Sequence, residues 1–156
     1  METLPYVLPV QGRWPSLADG WLLATRKYAI EHICTFMYIL GVMAEVIATD
    51  EFAVWFEELD EADTKAVVRV VDLLEARGVS LGFPYSSDIK SSRYALRELR
   101  VQSGGSPLRI LYAFDPKRQA VLLLGADKTG MSDERFYTIH IPKAESLWQE
   151  YLMDRE

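Results

Sequence analysis

The sequence predicts a small α+β domain with elements in the order β-α-α-β-β-β-α, on three observations. Apolar residues recur with helical spacing between residues 50 and 77. Three apolar runs joined by two turn sequences follow between residues 96 and 126. The chain has 156 residues, 49% of them hydrophobic and 26% charged, which is the size and balance of one globular domain.

The elements are justified in order along the chain. Pro5, Pro9, Gly12, Pro15 and Gly20 break any regular element at the start, and residues 21–40 are apolar without a helical stripe. Met43 opens a crisply patterned segment, so the chain divides into an extension over 1–42 and a domain over 43–156. Glu45–Thr49 reads as a short strand, and Thr49 or Asp50 caps the helix after it. Phe52, Trp55, Phe56 and Leu59 form the apolar face of that helix. Asp60 caps a second helix with a core face of Val67, Val70, Val71 and Leu74, and Gly78 ends it. The β-branched run around Arg69 also suits a strand, but its length and caps favour a helix.

Leu81–Ser92 reads as loop. Strands are predicted over about 96–103, 108–115 and 119–126, with Gly104–Pro107 and Asp115–Arg118 as the turns. The middle strand has apolar residues at both parities, as expected of a strand covered on both faces. A final helix is predicted in two pieces, Asp133–Ile141 and Pro142–Met153, with Pro142 in a first turn. Tyr112 and the four tryptophans read as packing residues, and His140 as a helix-surface or satisfied core residue.

Charge is unevenly spread. Net charge is −6, yet residues 45–76 hold ten acids against Lys65 and Arg69. Residues 77–128 hold nine bases against Asp88, Glu98, Asp115 and Asp127. Only the second region can approach RNA unaided. The longest uncharged apolar run, Ile33–Ala44, has twelve residues, against the ~20 needed to span a bilayer, so no membrane association is expected. Cys34 stands alone, which excludes an intrachain disulfide and fits a reducing cytoplasm.

Several chemistries lose ground. The two histidines are far apart, and no Cys, His and acid cluster has metal-ligand spacing, so no metal and no cofactor is expected. Gly125–Gly130 has the letters of a phosphate loop in the wrong order. Gly104-Gly105-Ser106 lacks the glycine that a nucleophile elbow needs after its serine. What remains is a group of cations, Arg97, Arg100, Arg109 and Lys128, with tyrosines, on the predicted sheet. RNA carries its own nucleophile in the 2′-hydroxyl, and cleavage through it needs a base, an acid and positive charge at the phosphorane. Arginine suits the last role, because its planar fork matches a phosphate. Cations at strand edges also serve simply to block aggregation, and spacing alone leaves both readings open.

Taken together, Glu98-Leu99-Arg100, then Leu108-Arg109-Ile110-Leu111-Tyr112, then Asp127-Lys128-Thr129 and Phe136-Tyr137 resemble the RelE/ParE toxin superfamily. The likeness is strongest to its HigB-like branch of phage-derived Gp49-like proteins, whose version of the preceding segment PYSSDIKSSRYALRELR resembles. It runs from about Ala44 to Leu152. The resemblance implies a RelE-like microdomain, with an N-terminal helical hairpin packed on an antiparallel sheet. It also implies a metal-independent, ribosome-dependent messenger RNA endonuclease that inhibits translation in the cytoplasm. The implied partners are the ribosome with its messenger and a HigA-like helix-turn-helix antitoxin, with DNA met only through the antitoxin complex. Carried over by position, Arg100, Arg109, Lys128 and Tyr137 are the catalytic candidates, and Lys90 and Arg93 the RNA or ribosome contacts.

Two departures accompany the likeness. Glu98 stands where RelE carries a second basic residue, which leaves the general base unassigned. The histidines used by some HigB proteins have no counterpart other than His140. A gyrase-poisoning ParE-type toxin and an inactive partner-binding module share the fold and stay open as alternatives. Because Met43 sits where such proteins begin, residues 1–42 are expected to reflect a misassigned start. The alternative is a lineage-specific extension that packs on the domain or blocks its basic face.

Overall fold

Thr49 turns the chain from its first strand into its first helix. β1 (Val46–Ala48) ends there, and the Thr49 N–H donates to the Leu122 carbonyl at 3.0 Å. The Thr49 hydroxyl donates to the Leu123 carbonyl at 2.6 Å and accepts from the Phe52 N–H at 3.2 Å. One side chain thus caps α1 (Asp50–Glu57) and pins it to the sheet. Asp60 caps α2 (Glu61–Arg77) in the same way, without the tie to the sheet, with Oδ1 accepting from the Asp63 N–H at 2.8 Å. Gly78, at φ 54°, ends α2 in a conformation that a side chain would disfavour. These observations come from a computed structural model that describes residues 43–155, so the expectations for 1–42, with Trp14, Trp21 and Cys34, lie outside the described residues.

Beyond a single 3-10 turn lie β2 (Ser86–Asp88), β3 (Arg97–Ser103), β4 (Ser106–Phe114), β5 (Ala120–Asp127) and α3 (Asp133–Met153). The sheet order is β1-β5-β4-β3-β2. Strands β2 to β5 form an antiparallel meander, and β1 joins β5 in parallel at the edge. The fold class is the α+β arrangement that the sequence predicts, with two differences in detail. β2 lies inside the segment read as loop, because a three-residue polar strand shows no periodicity. Its Ser86 is buried, with its hydroxyl 2.7 Å from the Tyr112 hydroxyl. The final helix is continuous rather than in two pieces, with Pro142 inside it. Proline there removes one backbone bond, at a cost of about 3 kcal/mol. Burial of Phe136 before it and of Ile141, Ala144, Leu147 and Trp148 around and after it offsets that loss.

Two cores sandwich the sheet. On one face Phe52, Phe56, Val67, Val71 and Leu74 meet Leu99, Val101, Ile110, Tyr112 and Leu122. On the other, Phe136, Ile141, Leu147 and Trp148 meet Leu111, Ala113, Val121, Leu123 and Leu124. β4 is therefore covered on both sides, as its double parity predicts.

A β-bulge interrupts β5. Leu111 opposes Leu124 and Tyr112 opposes Leu122, so Leu123 is an extra residue. Before the bulge, even-numbered side chains of β5 face α1 and α2; beyond it they face α3. Gly125 then turns toward α1, where the Trp55 ring fills the space a side chain would need, 2.1 Å from an ideal Cβ. Gly125→Ala is expected to push Trp55 aside and cost about 1–3 kcal/mol. Urea unfolding followed by tryptophan fluorescence checks this, and an unchanged midpoint would refute the packing described.

Candidate functional site

Alternation along β3 builds the site. Leu99 and Val101 point into the core beneath α1 and α2, so Glu98 and Arg100 lie on the opposite face. Arg100 is directly opposite Arg109 in the β3–β4 register, and Ser87 of β2 is opposite Glu98. Tyr137, in the second turn of α3, reaches the same face.

Glu98 is the centre of the cluster. It is buried, at 4% exposure, and a carboxylate so placed needs partners for both oxygens. Ser87 Oγ donates to Oε1 at 2.9 Å and the Tyr137 hydroxyl to Oε2 at 2.8 Å. Arg100 Nε lies 3.9 Å from Oε1, and Arg109 Nε 3.9 Å from Oε2. Two guanidinium groups thus share one carboxylate, which leaves the cluster net positive.

The arginines differ in freedom. The Arg109 side chain is 9% exposed and that of Arg100 37%. Arg109 Nη1 donates to the Leu108 carbonyl at 3.0 Å, while its Nε is buried without a hydrogen-bond partner. Burial pushes the Arg109 guanidinium below its ordinary value; Glu98 opposes that shift and Arg100 adds to it. Arg109 is held in place with bonding capacity unused, whereas Arg100 can meet a ligand from solvent. Lys128 completes the group: its Nζ lies 6.0 Å from the Tyr137 ring centre and pairs with Asp133 in the first turn of α3.

Burial, then the bond to Glu98 and the carboxylate's charge, push the Tyr137 phenol up to about 12, with Arg109 and Arg100 opposing. At neutral pH Tyr137 is therefore a proton donor. Its folded form keeps the proton above the unfolded value near 10, so unfolding releases a proton between about pH 10 and 12. Stability is expected to fall as pH rises through that window. Tyr137→Phe should remove one of the late phenols from an ultraviolet titration of the protein's tyrosines; loss of one titrating near 10 instead would contradict the geometry.

The structure brings Arg100, Arg109, Lys128 and Tyr137 together and leaves Lys90 and Arg93 outside. Lys90 is exposed in the loop after β2. Arg93 pairs with Glu145 at 3.0 Å, eight residues along α3 from Tyr137, or about 12 Å at the helical rise. His140 is also apart from Glu98, with its ring centre 4.4 Å from that of Phe136, and burial and Lys143 lower its pKa. Ser87 and the central role of Glu98 are absent from the sequence reading. The sequence shows Glu98 as part of the Glu98-Leu99-Arg100 motif and as a departure from RelE; its position two residues from Arg100 on one strand face is the signal for its role. No group of three or more His, Cys, Asp or Glu among the described residues could hold a metal ion.

Residues 54–149 match the profile of the family described as "Phage derived protein Gp49-like". The chain belongs to this family. Its relatives include a Mycobacterium tuberculosis (strain H37Rv) protein named "Putative toxin HigB3", 39% identical over 108 residues, covering 69% of this chain and 92% of that protein. Another from the same organism, "Putative toxin HigB2", is 34% identical over 147 residues, covering 88% of this chain and 71% of the relative. That second match spans more than residues 43–156 can supply, so it takes in part of the segment before Met43. Membership places this Gp49-like chain in the HigB-like branch of the RelE/ParE superfamily. No solved structure matches it. No helix among the described residues is long and apolar enough to cross a membrane.

Proposed function

We propose that this HigB-like chain is the toxin of a toxin–antitoxin pair and acts by cutting messenger RNA on the ribosome. One observation carries the reading: two cross-strand arginines and a protonated tyrosine converge on one buried carboxylate. A phosphodiester set against Arg100 and Arg109 would meet charge where the phosphorane forms. Tyr137 would protonate the departing 5′-oxygen. Glu98 is the acceptor that the cluster offers for the 2′-hydroxyl proton. Ser87 and Tyr137 each take one acceptor site on its carboxylate, which leaves others for that proton, while Tyr137 must release its own bond to reach the 5′-oxygen.

Lys128 adds positive charge beside Tyr137, and its pairing with Asp133 sets where that charge sits. The ribosome would supply the alignment of the messenger that so small a cluster does not provide by itself. A HigA-like helix-turn-helix antitoxin is the proposed neutralising partner, and the acidic α1 and α2 surface suits a basic segment of it.

Induced expression is expected to halt growth and leave messenger breaks within translated codons, mapped by primer extension. Double-strand DNA breaks with intact messenger would overturn this reading in favour of gyrase poisoning. Harmless expression without either lesion would leave the chain an inactive binding module.

A further inference from the structure

Phe83 is 80% exposed, more than any other large hydrophobic side chain among the described residues. It is not on a loose tail. The N–H groups of Tyr85 and Ser86 donate to the Gly82 carbonyl at 3.1 and 3.0 Å, which closes the turn that carries Phe83. The Arg100 N–H donates to the Tyr85 carbonyl at 2.8 Å and ties that turn to β3. The Arg100 guanidinium carbon lies 5.6 Å from the Phe83 ring centre. An open aromatic ring is thus fixed beside the more accessible of the two arginines. A guanidinium near a ring gains from the ring's negative face, but most of this ring is left to water.

We propose that Phe83 is a stacking platform for one unpaired base of single-stranded RNA, next to the phosphate that Arg100 engages. The occupant follows from the pairing of chemistries. An aromatic face suits any base, and a cation at its edge suits the phosphate attached to that base. A purely apolar partner would gain nothing from Arg100 and would have to desolvate it. Tyr85, 38% exposed and next to this junction, widens the surface available to the same strand. Phe83 is a substrate-positioning residue that takes no part in proton transfer. This proposal rests on the RNA reading above.

The test uses ribosomes programmed with a messenger blocked by 2′-O-methyl groups across the A-site codon. 2-Aminopurine, whose fluorescence falls on stacking, replaces each base of that codon in turn. The parent chain is expected to quench one of the three. Phe83→Ala should abolish that quenching and weaken binding to the complex by roughly tenfold, whereas Phe83→Trp should restore both. Phe83 is exposed, so both variants should melt with the parent. Arg109→Ala should weaken binding while any residual complex keeps the quenching. Binding with quenching that Phe83→Ala leaves intact overturns the platform alone. Failure of the parent chain to bind the programmed ribosome overturns the RNA reading, and the platform with it.

Discussion

Arg109→Ala is expected to lower messenger cleavage by about 10²–10³-fold while the sheet still forms, the usual penalty for losing one preorganised charge at a transition state. The site shows why this arginine should matter most. Its guanidinium is already buried, held at 3.0 Å by the Leu108 carbonyl, and has an Nε without a hydrogen-bond partner. Little reorganisation is then needed when a phosphate arrives. Arg100 must instead be drawn in from a half-exposed position, so Arg100→Ala should cost less. Arg109→Lys keeps a charge but loses the planar fork, and should fall between the parent and the alanine variant. Cleavage on purified ribosomes, with far-ultraviolet dichroism to check folding, measures all three. A folded Arg109→Ala protein that cuts at the parental rate would be incompatible with the assigned role.

Glu98→Gln should have the second large effect, on two readouts at once. Removing the carboxylate charge leaves two guanidinium groups beside a neutral amide, and breaking a buried pair in this way costs about 3 kcal/mol. For a domain of this size the melting temperature should drop by roughly 10 °C. Cleavage should fall by about 10²–10⁴-fold if the carboxylate takes the 2′-hydroxyl proton. The Tyr137 phenol should also titrate lower, because the bond to Glu98 and its charge help to hold it up. Adding Arg109→Met separates the effects: the double variant should regain stability and stay inactive. Parental stability together with a parental Tyr137 titration would show that Glu98 does not organise the cluster.

The sequence made some of this readable for plain physical reasons. Thr49 and Asp60 cap helices through their own neighbours, and Val67, Val70, Val71 and Leu74 repeat at a helical period, so local pattern sufficed. β2 escaped because Ser86–Asp88 is too short and polar to show a period. Its place in the sheet depends on partners across the chain, Leu99 and Glu98 among them. Pro142 misled for the opposite reason: a strong local signal yielded to burial on either side of it. Within the site, single residues such as Arg100 and Arg109 stood out by type. What binds them is Glu98, whose hydrogen-bond partners Ser87 and Tyr137 lie 11 positions before it and 39 after it. Sequence spacing does not reveal a carboxylate's partners at that range.

The extra residue in β5 decides where along that strand a change of length can be absorbed. Ahead of Leu123, the strand presents Ala120 and Leu122 to one pair of helices; past it, Leu124 and Ala126 face the third. The ladder continues to Lys128, whose N–H donates to the Pro107 carbonyl at 2.9 Å, so the cation comes out on the Tyr137 side. Losing Leu123 itself would leave Leu122 opposite Tyr112 and Leu124 opposite Leu111 in an unbroken ladder, so every later side chain, Lys128 included, would keep its face. What would go is one leucine from the core beneath α3. An insertion or deletion between Gly125 and Lys128 would instead carry the cation to the other face, away from Tyr137. Related chains should therefore tolerate a one-residue gap at the bulge with the site intact, and resist one nearer Lys128.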